Sequence, residues 1–156
     1  MIPQKIDCFD GEYAFLSNFY PSQVEEDGGY HIVYPTIEHY FQAMKTKDEA
    51  LRREIAAAET PGKAKRLGRK LSLRADWEQI KDQVMYYAIK GKFEYPELRE
   101  KLLATGDVIL EEGNTWHDNY WGNCHCEQCK DIAGKNTLGR ILMLVRKEIR
   151  DEEITN

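Results

Sequence analysis

From Thr36 onward, helix-start signals follow one another along this chain: Thr36, Asp48, Thr60-Pro61, Asp76 and Pro96. Each places a capping oxygen or a proline where the first turn of a helix leaves backbone N–H groups without partners. A chain punctuated this way folds into a succession of short helices rather than one large sheet. Thr36 predicts a helix with Glu38 in its first turn, and Asp48 one running through Ala56-Ala57-Ala58. Asp76 and Gln79 have the spacing of a capping box. Trp77, Ile80, Val84, Tyr87 and Ala88 then recur at three- and four-residue steps, which predicts one buried stripe. Pro96 opens a helix carrying Leu98, Leu102 and Leu103, and Thr105-Gly106-Asp107 closes it. Leu138, Ile141, Leu142, Val145 and Ile149 share a face of a last helix, whose charged end at Arg150–Glu153 is expected to fray.

The remainder is less periodic. Residues 5–34 read as irregular chain with short strands, and Asp27-Gly28-Gly29 between Ser22–Glu26 and Tyr30–Tyr34 predicts a hairpin. Val108-Ile109-Leu110 reads as a short strand, and residues 112–135 as a loop. The expected fold class is therefore mainly α (α+β): a compact helical domain with a small antiparallel sheet. A length of 156 residues fits one domain spanning 1–156.

Hydrophobic residues at 42% and charged residues at 31% are ordinary for a soluble chain. No apolar run approaches the roughly eighteen residues of a membrane span, and Met1-Ile2-Pro3-Gln4-Lys5 lacks the apolar core of a signal peptide. A cytoplasmic location with no membrane partner is expected. A net charge of −5 argues against bulk electrostatic binding of nucleic acid, but leaves room for a local basic pocket.

Five groups of residues bear chemistry. Tyr34-Pro35-Thr36-Ile37-Glu38-His39-Tyr40-Phe41-Gln42 sets a carboxylate among aromatic rings at a helix start. The helix dipole favours its charge, while shielding from water opposes it. The alternative is a solvated Glu38 that merely complements the dipole. Lys63, Lys65, Arg66, Arg69, Lys70 and Arg74 form a basic cluster. On a helix Lys65 and Arg69 share one face, with Gly68 allowing close approach, so the cluster suits a phosphate or else forms a solvated basic face. Gly134-Lys135-Asn136-Thr137 opens the last helix, where N–H groups and the dipole suit an anion.

The loop Asn114–Asn123 holds Trp116, His117, Asp118 and Trp121. Its rings offer stacking to a planar heterocycle, or else pin a surface loop. Cys124, Cys126 and Cys129 are spaced for zinc, which wants four ligands, with Cys8 or His117 available as the fourth. Unligated thiols are favoured over metal there, and no metal site is expected.

Seven blocks in order resemble the NADAR (YbiA-like) family: Ser17–Pro21, Tyr34–Ala43, Ala64–Arg69, Leu73–Trp77, Leu102–Asp107, Tyr120–Gly122 and Asn136–Met143. The resemblance runs from about Phe9 to Ile149. It implies a YbiA-like, mainly helical fold and a cytoplasmic N-glycosidase needing no cofactor. Family members are associated with cleaving the ribose–base bond of ribosylamino-pyrimidine 5′-phosphates early in the riboflavin pathway. Others remove ADP-ribose from modified guanine, so the implied partner is a nucleotide-like small molecule or ADP-ribosylated guanine in nucleic acid.

The family's key glutamate falls on Glu38 and its Trp-Gly motif on Trp121-Gly122. Many members carry an acid two residues after that tryptophan, where this chain has Asn123, so Asp118 is the nearby carboxylate. Together with the residue groups above, the candidate catalytic set is Glu38, Asp118 and Trp121, and the candidate substrate-binding set is Asn18, Lys65, Arg69, Trp116, Lys135 and Asn136. A rival reading is a module that binds NAD or ADP-ribose without cleaving it. Another is an interaction domain built around zinc at Cys124, Cys126 and Cys129.

Overall fold

A computed structural model describes residues 4–26 and 29–155. Met1–Pro3, Asp27, Gly28 and Asn156 lie outside the described residues, and with them part of the expected hairpin turn and of the stretch read for a signal peptide. In chain order the elements are β1 (Lys5–Ile6), a 3-10 helix (Gly11–Leu16), β2 (Val24–Glu25), β3 (Val33–Tyr34), α1 (Ile37–Ala43), α2 (Glu49–Ala56), α3 (Pro61–Arg69), α4 (Trp77–Lys92), α5 (Pro96–Ala104), β4 (Ile109–Leu110), β5 (Gly113–Asn114), β6 (Asn123–Cys124) and α6 (Thr137–Thr155). The fold is mainly α with small sheets. Among the described residues no helix is long and apolar enough to cross a membrane. The chain divides into two compact units, Asn18–Lys92 and Met1–Ser17 with Phe93–Asn156.

In the unit Asn18–Lys92, three helices begin where the caps predict. Thr36 Oγ1 accepts the His39 N–H at 3.2 Å, Asp48 Oδ1 the Leu51 N–H at 3.0 Å, and Thr60 Oγ1 the Lys63 N–H at 3.1 Å. All of α1 is buried, with α2, α3 and α4 packed around it. His39 is fixed inside this packing by the Thr36 hydroxyl at Nδ1 (2.7 Å) and the Ala58 carbonyl at Nε2 (3.0 Å). A carbonyl can only accept, so Nε2 carries the proton and Nδ1 accepts from the hydroxyl. Burial lowers the His39 pKa and favours this neutral form. The hairpin β2–β3 is antiparallel, pairing Val24 with Tyr34. It is tied down by buried Glu26, which accepts from the Tyr34 hydroxyl at 2.5 Å and from Arg52 at 3.2 Å.

The buried stripe of α4 is Trp77, Met85, Ala88, Ile89 and Lys92. Ile80, Val84 and Tyr87, expected at its centre, lie half-buried along its edge. The Asp76 carboxylate receives the Arg74 guanidinium at 2.6 and 3.2 Å, which lowers its pKa.

The second unit packs α5 and β4 against α6, whose Leu138, Ile141, Leu142, Val145 and Ile149 are buried as the spacing predicts. Arg146 reaches Thr105 Oγ1 at 2.9 Å inside this contact. The charged end of α6 stays helical through Thr155, where fraying was expected. Arg99 of α5 holds Glu153 at 3.2 Å, and Lys147 pairs with Asp151 at 2.9 Å. Among the described residues there are three two-stranded ladders, of which only the hairpin is antiparallel: β1 pairs with β4, and β5 with β6, in parallel. The segment read as an unstructured loop thus contains the β5–β6 ladder.

Candidate active site

Glu38 lies in the first turn of α1, but it is buried, at 7% exposure. This removes the reading of a solvated, dipole-complementing carboxylate. Its backbone N–H donates to the Asn18 carbonyl at 3.1 Å, and its Oε1 accepts from Gln42 Nε2 at 2.7 Å. Burial raises the Glu38 pKa; the Gln42 hydrogen bond and the charges of Lys65, Lys45 and Arg69 pull it down, and burial wins. Of the two opposing influences on this carboxylate, desolvation therefore dominates.

The helices explain the arrangement. Glu38 and Gln42 are one turn apart on α1, and Lys45 lies in the turn just past the end of that helix. Gly68 lets α3 lie close against α1: a Cβ there would overlap the Gln42 side chain. The close approach brings Lys65 and Arg69 near enough to act on the Glu38 charge. Lys45, half-buried and 5.8 Å over the Phe41 ring, has its own pKa lowered by burial. Asn18 donates to Met85 Sδ at 3.5 Å. Two buried amide oxygens, Asn18 Oδ1 and Gln42 Oε1, have no hydrogen-bond partner among the described residues. Such acceptors call for a donor from water or a ligand.

Four of the residues expected from the sequence, Asn18, Glu38, Lys65 and Arg69, thus belong to one constellation. Gln42 and Lys45 join it although no role was expected of them. Their spacing from Glu38, four and seven residues, is the signal that could have marked them.

The other expected residues lie in the second unit. Asp118 caps a turn: its Oδ1 accepts the N–H of Tyr120 at 3.1 Å and of Trp121 at 2.9 Å. Trp121 is half-buried and meets the Tyr120 ring edge-on at 4.9 Å, while Trp116 is 57% exposed. Gly122 is required beside Trp121, because a Cβ would overlap the Glu112 carbonyl. The anion cradle expected at Gly134–Thr137 is not formed. Gly134 N–H goes to Asn123 Oδ1, and the N–H groups of Lys135, Asn136, Thr137 and Leu138 go to the carbonyls of Asn119, Gly122, Tyr120 and Trp121. Asn136 is a brace, accepting from Glu112 N–H at 2.9 Å and donating to Leu110 O at 2.9 Å. Lys135 Nζ sits 5.2 Å over the Tyr120 ring. Asn123, where an acid is common in the family, also donates to Glu111 at 3.4 Å.

A buried carboxyl, surrounding cations and unsatisfied amides form a polar, positively charged constellation, the kind of chemistry that suits an anionic ligand. The NADAR domain family model matches residues 8–150. The chain is 42% identical over 145 residues to the N-glycosidase YbiA of Shigella flexneri, covering 91% of this chain and 85% of that protein. It is 43% identical to an N-glycosidase of Nostoc punctiforme, covering 89% and 87%. A riboflavin biosynthesis protein of Vibrio vulnificus is 38% identical over 91% of this chain and 37% of its own length. The NMR structure of the Escherichia coli protein YbiA superimposes with a TM-score of 0.79 at 39% identity, covering all of this chain and 91% of that one. Fold, site and relatives define a hydrolase of N-glycosidic bonds. The chain belongs to the NADAR domain family.

Proposed function

We propose that this N-glycosidase hydrolyses the ribose–base bond of a phosphorylated N-riboside, a ribosylamino-pyrimidine 5′-phosphate of the riboflavin pathway. The observation that carries the proposal is the buried Glu38 carboxyl, held by Gln42 and faced by Lys45, Lys65 and Arg69. Resemblance to proteins named for riboflavin biosynthesis supports the choice of substrate.

Breaking the C1′–N bond builds positive charge on the sugar. Ionised Glu38 stabilises that charge and takes a proton from the attacking water. The water oxygen bonds to C1′, the C1′–N electron pair leaves with the base nitrogen, and the proton ends on the departing amine. The products are ribose 5-phosphate and a free aminopyrimidine. Desolvation suits this role, because a carboxylate stripped of water gains most from a cation formed beside it. Lys65 and Arg69 hold the 5′-phosphate, with Lys45 as the third cation. The Asn18 amide oxygen accepts from a ribose hydroxyl or from the base. Within its own unit, Asp118 sets the turn that carries Trp121.

A substrate panel scored by mass spectrometry tests the proposal. Free base and ribose phosphate from the ribosylamino-pyrimidine phosphate, with none from ADP-ribosylated guanine, is the expected result. Release of base only from ADP-ribosylated guanine would reassign the substrate. Binding without release from either would make the protein a nucleotide-binding module.

A further inference from the structure

His117, Cys124, Cys126 and Cys129 bring one nitrogen and three sulfurs together, all four ligand atoms within 4.8 Å of one another. None of these side chains enters the reaction proposed above. His117 Nδ1 is 3.4 Å from Cys129 Sγ and 3.4 Å from Cys126 Sγ. Tetrahedral zinc with bonds of about 2.3 Å to sulfur and about 2.0–2.1 Å to nitrogen sets neighbouring N and S ligands about 3.5 Å apart. The observed separations match that tetrahedron's edge.

We propose that these four residues bind one structural zinc ion. The donor set, three thiolates and one imidazole, is a closed tetrahedral zinc set with no position left for substrate. An iron–sulfur cluster would ordinarily want four cysteines, and calcium or magnesium would want oxygen. Cys8, the other candidate for a fourth ligand, is exposed and bonded to Asp10 at 3.2 Å, so His117 fills that place.

The surroundings are built for thiolate charge. The N–H groups of His117 and Cys126 point at Cys124 Sγ, at 3.3 and 3.5 Å. Asn119 Oδ1 accepts the Cys124 N–H at 2.9 Å, fixing the chain between the first ligand and the second. Cys129 N–H closes a turn onto the Cys126 carbonyl at 3.1 Å, which aims both sulfurs the same way. His117 takes a positive φ of 69° to bring its ring to the sulfurs, a conformation unfavourable for a residue with a side chain. Asp118 and Trp121 lie between His117 and Cys124, so the ion would close the loop that carries them. Its role is to hold the Trp121 turn, not to take part in bond cleavage.

The test is elemental analysis of the full chain, purified under reducing conditions with neither chelator nor added metal. About one zinc per chain is expected. Cys126→Ser and His117→Ala should lose most of it, while Cys8→Ser keeps it. Should the variants fail to fold, the wild-type chain decides alone. Stripped and reloaded with cobalt, it should show the intense visible absorption of a tetrahedral thiolate site and release the cobalt to zinc. Absence of zinc as isolated, together with no cobalt spectrum on reloading, would overturn the proposal. So would a disulfide among Cys124, Cys126 and Cys129 in protein alkylated at lysis. Neither readout uses glycosidase activity, so failure here leaves the proposed reaction standing.

Discussion

Gln42 Nε2 donates to Glu38 Oε1 at 2.7 Å across one turn of α1, and Gly68 of α3 lies directly against that same Gln42 side chain. The carboxyl is thus positioned by a neighbour on its own helix, and that neighbour by the missing side chain of another. Gly68→Ala inserts a methyl group into this contact. It should destabilise the fold by about 1–3 kcal/mol. Because the displaced Gln42 no longer holds the carboxyl, turnover should fall further than a stability loss of that size explains. Denaturation midpoints and turnover of the purified variant check this; unchanged values for both would mean the contact is loose.

Arg69→Ala and Lys65→Ala should raise KM for a phosphorylated substrate by roughly tenfold or more, the scale of a charge-assisted hydrogen bond, with a smaller effect on turnover. The same variants should leave a dephosphorylated analogue's KM nearly unchanged. Comparing the two substrates separates a phosphate contact from general damage. Equal KM values for wild type and variants on the phosphorylated compound would return the cluster to a solvated basic face.

The pH dependence of stability follows from the sign of the Glu38 shift. Its folded pKa lies above the unfolded value of 4.5, and burial is the cause. The stability it contributes is therefore fully present below that value and lost as pH rises through the folded pKa. Glu38→Gln carries no titrating group, so the variant should gain on the wild type as pH rises. Urea midpoints of both proteins at pH 4 and pH 8 measure the gap. A gap that stays constant would show that the folded carboxyl titrates normally.

Asp118 holds two N–H groups of the turn that carries Trp121. Asp118→Asn keeps an oxygen able to accept both, whereas Asp118→Ala keeps none. The alanine variant should lose about 1 kcal/mol or more of stability and the larger share of kcat/KM, with the asparagine variant close to wild type. Equal, severe losses in both would instead assign the Asp118 charge to the chemistry.

The caps made much of this structure readable in the sequence. Thr36, Asp48 and Thr60 act within four residues of themselves, and local geometry of that kind is written in local sequence. The apolar face of α6 was legible for the same reason. The parallel ladders were not: β1–β4 and β5–β6 are two residues long per strand, too short for any alternation, and β1 pairs across most of the chain. The α6 start looked like an anion site because its N–H donors are visible in sequence, while the carbonyls of residues 119–122 that occupy them are not. Glu38 was identifiable by its aromatic surroundings, but not the outcome of burial against three cations. The metal-ligand set was half visible: spacing marked three cysteines, and folding selected His117 over Cys8.

The most direct test of the account is Glu38→Gln in single-turnover hydrolysis of a ribosylamino-pyrimidine 5′-phosphate, with folding checked by circular dichroism and substrate affinity measured separately. Removing a well-placed charge costs about 3–4 kcal/mol of transition-state stabilisation. The rate should therefore fall at least roughly a hundredfold while the helical signal stays intact and the substrate still binds. A folded Glu38→Gln protein that releases base at near the wild-type rate would contradict it.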